Sequence, residues 1–340
     1  MINVGIAGLG FMGMTHYNAY KKVPGAKVAA ICETDPVRLS GDWRSIKGNF
    51  GPQGEVVDLG DVAKYPQLEA LMADPNIDMV DVCLPPPFHA RAAIAASKAG
   101  KHVLCEKAIA LKPEDGVAMV DAAKQAGKQL MIAHVLPFVP EYTFAYEKIT
   151  SGECGRLLGG HFRRIISDPL WLKDFYDPDG CGGPMIDLHI HDAHFIRLLC
   201  GMPKAVHSVG RMRGEVAEFF TTQFLFDDPT LVVTATCGVI NQQGRPFTHG
   251  YEIYLEKATL LFESFTETPL TVLTEDGQVE RPDLGSPDML AAFPIELAEA
   301  VRCAESNTPS NLLDGALARD ALILGHKQTQ SIVERRRVEI

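Results

Sequence analysis

The sequence predicts an α/β fold in two domains, a doubly wound parallel sheet followed by an α+β half with an open, mainly antiparallel sheet. Three observations carry this. Short apolar runs alternate with helical patterns over residues 1–136, the signature of βαβ crossovers. A glycine triplet, GLGFMG, stands between the first run and the first helical pattern. From Ala205 to Leu273 the period changes to strict alternation, as in FFTTQFLF, LVVTATCG and GYEIYLEKATLLFE, which fits antiparallel strands with one buried face.

In order, strands are expected near Asn3 to Ala7, Lys27 to Glu33, Met79 to Leu84, His102 to Cys105 and Gln129 to His134. The small-residue run His89 to Ala99 and the stretch Glu114 to Ala126 are helix formers, each followed by a glycine, Gly100 or Gly127, suited to a left-handed cap. The domain boundary is placed between residues 136 and 137. Beyond it come a helix from Tyr142 to Ile149, a loop rich in Gly, Pro and Asp from Ser167 to Pro184, and a helix from about Ile186 to Leu199. Two late helices, Met289 to Ala304 and Leu313 to Glu334, close the second domain, 137–340. The ERRR run from Glu334 to Arg337 reads as a solvated helix end.

Composition narrows the class. The 340 residues are 46% hydrophobic and 22% charged, enough to bury a sizeable core. Lys and Arg total 32 against 43 acids, a net charge of −11, which is a poor balance for neutralising phosphate backbones and argues against a nucleic-acid partner. No two of Cys32, Cys83, Cys105, Cys154, Cys181, Cys200, Cys237 and Cys303 form a CxxC pair, so reduced thiols in a cytoplasmic protein are expected. The start MINVGIAGLG lacks a basic n-region, and no uncharged apolar stretch reaches the roughly 18 residues that cross a bilayer, so no membrane partner is expected.

Gly8, Gly10 and Gly13 sit where a dinucleotide fingerprint must: the first for a tight turn, the second for close approach of backbone to a pyrophosphate, the third for packing helix on strand. Phe11 and Met12 complete this phosphate-facing turn. Glu33 lies 20 residues after Gly13, about where an acid accepts hydrogen bonds from ribose hydroxyls and repels a 2′-phosphate. Thr34, which follows it, supplies no compensating cation, so NAD is expected in preference to NADP. Asp35 is the competing acid, although Asp35-Pro36 reads as a turn beyond the strand.

At the carboxyl edge of the predicted sheet, HVLCEKA places Glu106 and Lys107 where such folds hold ligands, and a lysine there can move the proton of an alcohol. A second constellation is GGPMIDLHIHDAH, Gly182 to His194. Asp187 and His191 are four apart and share a helical face, so the carboxylate can orient the imidazole as an acid/base partner. His189 and His194 fall elsewhere, about 200° and 60° around the helix. His189, His191, Asp192 and His194 crowd six residues, but of the i, i+4 pairs there, Asp187 with His191 and Ile190 with His194, only the first can bind, which argues against a metal centre. His189 and His194 then read as groups that hydrogen-bond within the domain interface.

These residues resemble the Gfo/Idh/MocA family of oxidoreductases, through GLGFMG, the stretch VDVCLPPPFHARAAIAASKAGKHVLCEKAIAL from Val80 to Leu111, and GGPMIDLHIHD. The resemblance implies a Rossmann domain, a second domain whose open sheet commonly forms a homodimer or homotetramer interface, and a substrate faced by the lysine of a Glu-Lys-Pro motif and an Asp-x-x-x-His pair. The matching positions are Glu106 and Lys107, then Asp187 and His191. Pro85 and Pro86 would shape the turn under the nicotinamide ribose, His89 would belong to the same cofactor edge, and Glu106 would fix the ribose or the adjacent backbone.

Four departures stand out. Ala108 replaces the motif's proline and so removes the residue that favours a cis peptide, a non-prolyl cis bond costing about 2.5–4 kcal/mol. Pro137, Phe138, Val139 and Pro140 lack the arginine many relatives carry there, which leaves His134 to line the cleft. His189 replaces a frequent glycine, and His194 a common aspartate. Of the adjacent Arg163 and Arg164, one is expected to face the substrate, with Arg163 the candidate. Trp171, with Lys173 and Tyr176, lies in a loop that could cover a sugar or equally anchor packing. His249 and Tyr251 remain similarly open.

The activity expected is reversible NAD-dependent oxidation of a secondary alcohol in a sugar, polyol or related carbohydrate, with Lys107 and His191 carrying the proton and Asp187 orienting them. Two alternatives are a redox-neutral lyase, glycosidase or epimerase that retains NAD, and a nucleotide-sensing protein without catalysis.

Overall fold

A computed structural model describes residues 1–48, 50–285 and 288–340. The first stretch runs β1 (Ile2–Ala7), α1 (Phe11–Tyr20), β2 (Ala26–Cys32), α2 (Pro36–Leu39), β3 (Ala63–Tyr65), α3 (Leu68–Ala73), β4 (Met79–Val82), α4 (His89–Lys98), β5 (His102–Glu106), α5 (Pro113–Ala126) and β6 (Leu130–Ala133). Among the described residues its strands form one parallel sheet in the order β3-β2-β1-β4-β5-β6, a doubly wound topology. β4, β5 and β6 are buried along their whole length, as helices on both faces of a parallel sheet require. Gly127 caps α5 in the left-handed region, φ 64°, as its position predicts.

The chain continues through α6 (Pro140–Thr150), β7 (Leu157–Ser167), a π turn over Pro184–Leu188, α7 (Ile190–Cys200), β8 (Ala205–Arg213), β9 (Val216–Leu225), β10 (Val232–Ile240), β11 (Thr248–Leu255), β12 (Ala258–Glu263), β13 (Leu270–Thr274) and β14 (Val279–Glu280). It ends with α8 (Ala292–Ser306), α9 (Gly315–Glu334) and β15 (Val338–Glu339). The second sheet is ordered β14-β13-β12-β11-β7-β10-β9-β8-β15 among the described residues. All its neighbours are antiparallel except β7 and β10. Both sheets therefore match the expected fold class.

The domain division is corrected. One compact unit comprises Met1–Phe138 together with Asp288–Arg319, the other residues 139–287 with Asp320–Ile340. The late helix α8 thus belongs with the first sheet, where its apolar face finds cover: the Phe293 ring stacks on Phe50 at 5.9 Å and leans on His16 at 6.0 Å. The segment after it is stitched to the same unit by backbone bonding, Ile132 donating to the Leu313 carbonyl at 2.8 Å. No sequence signal marks such a return.

Candidate active site

The turn between β1 and α1 assigns the three glycines distinct tasks. Gly8 has φ +98°, and a Cβ there would meet the Cys83 carbonyl oxygen at 2.7 Å. A Cβ on Gly13 would lie 2.0 Å from the Gly8 carbonyl oxygen, so helix and strand close on each other only without a side chain. Among the described residues nothing lies within 4 Å of the Gly10 Cβ position. Gly10 is also the N-cap of α1, and neither a side-chain cap nor an acid in the first turn competes for that helix end. Bare amides, a positive dipole end and room beside them are what a pyrophosphate needs. Phe11 and Met12 are half-buried in this turn, with Phe11 edge-on to Phe50 at 4.7 Å.

Glu33 stands just past β2. Its carboxylate accepts from the Leu9 amide at 2.9 Å, inside the glycine turn, and from the Thr34 and Asp35 amides at 2.7 and 3.0 Å. The acid is thereby fixed against the phosphate turn, where it retains lone pairs for ribose hydroxyls. Asp35 instead caps α2, accepting from Val37.

Lys107 follows the last residue of β5 and is partly exposed. Its amide donates to Glu106 Oε2 at 3.1 Å. Of the two tasks foreseen for Glu106, this geometry displays the hold on adjacent backbone, because the other oxygen is turned inward, 3.1 Å from His16 Nε2. On the far side of Lys107, His89 reaches across: its Nδ1 lies 2.8 Å from the Ala108 carbonyl and its Nε2 2.7 Å from the Leu84 carbonyl. His89 is fully buried, so it clamps two loops instead of presenting its ring to a cofactor. A neutral ring donates to only one of those carbonyls, and burial lowers the proton affinity that would satisfy both. Leu84 leads into Pro85 and a 3-10 turn over Pro86–Phe88, so the clamp joins the proline turn to the lysine. His134, just past β6, is fully enclosed.

In the other unit, Asp187 falls within the π turn and His191 in the first turn of α7. The π register, with the His189 amide bonded to the Pro184 carbonyl at 2.8 Å, replaces the regular helix start expected at Ile186. From Gly182 to Ile196, Asp187 and His191 are the two residues that keep accessible surface, and every other residue is buried. His189 is packed edge-on to Phe220 at 5.2 Å, and burial pushes its pKa down to about 4. His194 is fully buried.

Arg163 is corrected as a substrate residue. Successive residues of a strand face opposite sides, and β7 turns Phe162 and Arg164 toward α7 while Arg163 emerges on the other face of the sheet, 48% exposed and 2.7 Å from Glu263. Arg164 grips Asp192 of α7 through two bonds of 2.8 and 2.9 Å. Trp171 is 61% exposed. Tyr176 is fixed by Asp168 at 2.8 Å under the Arg213 guanidinium, 3.9 Å from the ring centre. His249 and Tyr251 are core groups, bonded to the Tyr142 hydroxyl and to the Glu141 carbonyl.

Two family descriptions match, "Oxidoreductase family, NAD-binding Rossmann fold" over residues 2–134 and "GFO/IDH/MocA C-terminal domain" over residues 142–261. The chain belongs to the Gfo/Idh/MocA oxidoreductase family. Levoglucosan dehydrogenase of Pseudarthrobacter phenanthrenivorans is 31% identical over 61% of this chain, the match spanning about half, 53%, of that relative. Myo-inositol 2-dehydrogenase of Thermotoga maritima is 27% identical over 100% of this chain and 98% of its own. The solved structure of a levoglucosan dehydrogenase in complex with NADH and L-sorbose superposes with a TM-score of 0.85 at 21% identity, covering 100% of this chain and 98% of that one. That likeness establishes the fold.

Within this Gfo/Idh/MocA chain the loss of the motif's proline does not straighten the backbone: the Lys107–Ala108 bond is cis. The family's first domain is NAD-binding, and the open helix end at Gly10, the excluded Cβ atoms at Gly8 and Gly13 and the anchored Glu33 fit that cofactor. His16 and Asp81 were not among the expected site residues. Asp81 had a signal, an acid inside the apolar run MVDVCL; His16 had another, one turn past Gly13 on the same face of the helix.

Proposed function

We propose that this chain is an NAD-dependent dehydrogenase that oxidises a secondary alcohol of a sugar, polyol or related carbohydrate. The observation that carries the reading is Lys107, partly exposed at the end of β5 in an NAD-binding sheet, its backbone gripped on one side by Glu106 and on the other by His89. Gly10 and the amides opening α1 would hold the pyrophosphate and Glu33 the adenosine ribose, whose 2′-phosphorylated form the carboxylate repels. Bound NAD would supply the hydride acceptor for the carbinol carbon. Lys107 would take the hydroxyl proton, and in the other unit Asp187 would orient the His191 imidazole as an acid/base group. The chemical character of the curated relatives supports a carbohydrate substrate.

Among the described residues no helix is long and apolar enough to cross a membrane, and all eight cysteines are free, which supports a reducing, cytoplasmic setting. A homodimer or homotetramer built on the open face of the nine-stranded sheet, around Arg163 and Glu263, is part of the same proposal. Light scattering on the purified chain checks the assembly, a monomer at micromolar concentration contradicting it. Turnover of a carbohydrate panel with NAD, followed by absorbance, tests the activity itself.

A further inference from the structure

Behind the glycine turn lies a buried cluster of ionisable side chains, of which the proposed chemistry uses only the hold of Glu106 on the Lys107 backbone. His16 of α1, Asp81 of β4, Glu106 of β5 and Glu296 of α8 are all buried. His16 Nδ1 is 2.9 Å from Asp81 Oδ2 and its Nε2 is 3.1 Å from Glu106 Oε1, while the Cys83 thiol donates to Asp81 Oδ1 at 3.4 Å. The Nδ1 contact is a hydrogen bond, whereas Nε2 meets Glu106 as an ion-pair contact outside hydrogen-bond geometry, so the imidazole lies between two carboxylates. Burial opposes a charge on the ring, but Asp81, seconded by Cys83, outweighs it and holds the His16 pKa well above its ordinary value. Among the described residues Glu296 has no hydrogen-bond partner, and burial, reinforced by Glu106 and Asp81, pushes its carboxyl well above the usual carboxylate range. His16 thus lies between the Asp81 and Glu106 carboxylates, with Tyr20 and Phe293 closing the surroundings.

Such a cluster is a poor source of stability, because the desolvation of each ion offsets what the pairing returns. It does fix geometry. The Glu106 carboxylate that His16 holds is the same group that accepts the Lys107 amide, so the line Asp81–His16–Glu106–Lys107 runs from the core to the end of β5. We propose that His16 is a positioning residue for Lys107: fixed by Asp81, it sets the Glu106 carboxylate that holds the lysine's backbone. The proposal rests on the reading that Lys107 moves the substrate proton. A helix whose N-terminus is open to the cofactor's phosphates then also steadies the proton-carrying residue. An ångström of misplacement at a reacting group costs up to about 10²-fold in rate, so the effect belongs in kcat and not in cofactor affinity.

The test compares His16→Leu and His16→Gln in the full chain. Hydrogen exchange at the Lys107 amide reports the held backbone without any substrate, fluorescence titration gives NADH affinity, and steady-state rates are taken with myo-inositol and levoglucosan as probes. Expected for His16→Leu are an amide exchanging at least about 10-fold faster, a kcat lowered by about 10-fold or more on whichever probe reacts, and KM and NADH affinity within about 3-fold. His16→Gln, which keeps a neutral donor, recovers part of the amide protection and of kcat. Unchanged Lys107 exchange in His16→Leu, or NADH affinity lost in step with kcat, overturns the proposal. Should the leucine variant not fold, Glu106→Gln interrupts the same line one step later and must show the same selective loss. If Lys107→Ala retains full turnover, the catalytic reading fails, whereas the exchange result still decides whether His16 holds the loop.

Discussion

The Arg164 guanidinium and the Asp192 carboxylate meet in a two-pronged, buried ion pair that ties β7 to α7 one residue away from His191. Both groups surrender their hydration, so removing one strands the other. Arg164→Met is expected to destabilise the fold by about 3–5 kcal/mol, and the double change Arg164→Met with Asp192→Leu by much less, since an apolar pair of similar volume replaces the ions. Urea denaturation of the single and double variants measures this; equal losses in both would refute the pairing argument.

The glycine turn separates two kinds of failure. Gly13→Ala drives a methyl group to 2.0 Å from the Gly8 carbonyl oxygen and should lower the melting temperature by several degrees and abolish NADH binding together. Gly10→Ala places its methyl in open space. The protein should keep its melting temperature while NADH affinity falls at least about 10-fold, because the obstruction lies where a phosphate approaches the helix. Fluorescence titration and thermal melts on both variants distinguish the two.

Cofactor choice is expected to follow the charge of Glu33. Glu33→Gln keeps an acceptor near the Leu9 amide but removes the negative charge. The ratio of kcat/KM for NADP to that for NAD should rise by about 10-fold, roughly the 1.4 kcal/mol of one partly screened charge contact. An unchanged ratio would relieve Glu33 of that role.

Acid should weaken the second unit through two buried histidines. Burial holds His189 at about 4 and His249 at about 3, against 6.5 for an exposed ring. Both fold in the neutral form, so their contribution is complete above pH 6.5. It declines as pH falls toward the folded values, when the unfolded chain takes up the proton first. The loss for His189 is on the order of 3 kcal/mol. His189→Phe, set among Phe220 and Phe224, should flatten the decline of unfolding free energy between pH 6.5 and 4. An unaltered slope would contradict this assignment.

Much of the frame was legible because its signals are local. Glycine spacing, apolar runs and caps identify the doubly wound sheet, and the four-residue step from Asp187 to His191 picks out the two accessible residues of that segment. What the sequence hid depends on distant chain. Arg163 and Arg164 are neighbours whose alternation guarantees opposite faces, but which face α7 covers is a tertiary fact. His89 has the right neighbourhood and a different task, since only the fold brings the Leu84 and Ala108 carbonyls to its two nitrogens. The return of residues 288–319 to the first unit and the π turn at Pro184 leave no mark in composition or period.

The central claim is that Lys107 carries the proton of a carbohydrate hydroxyl while NAD is reduced. It is tested most directly by following absorbance at 340 nm on wild-type protein and Lys107→Met with NAD and a panel of sugars and polyols. Expected are NADH release stoichiometric with substrate oxidised, a kcat reduced by about 10²–10⁴-fold in the variant, and NADH affinity unchanged within about 3-fold. Substrate consumed without NADH, or a variant as fast as wild type, would contradict it.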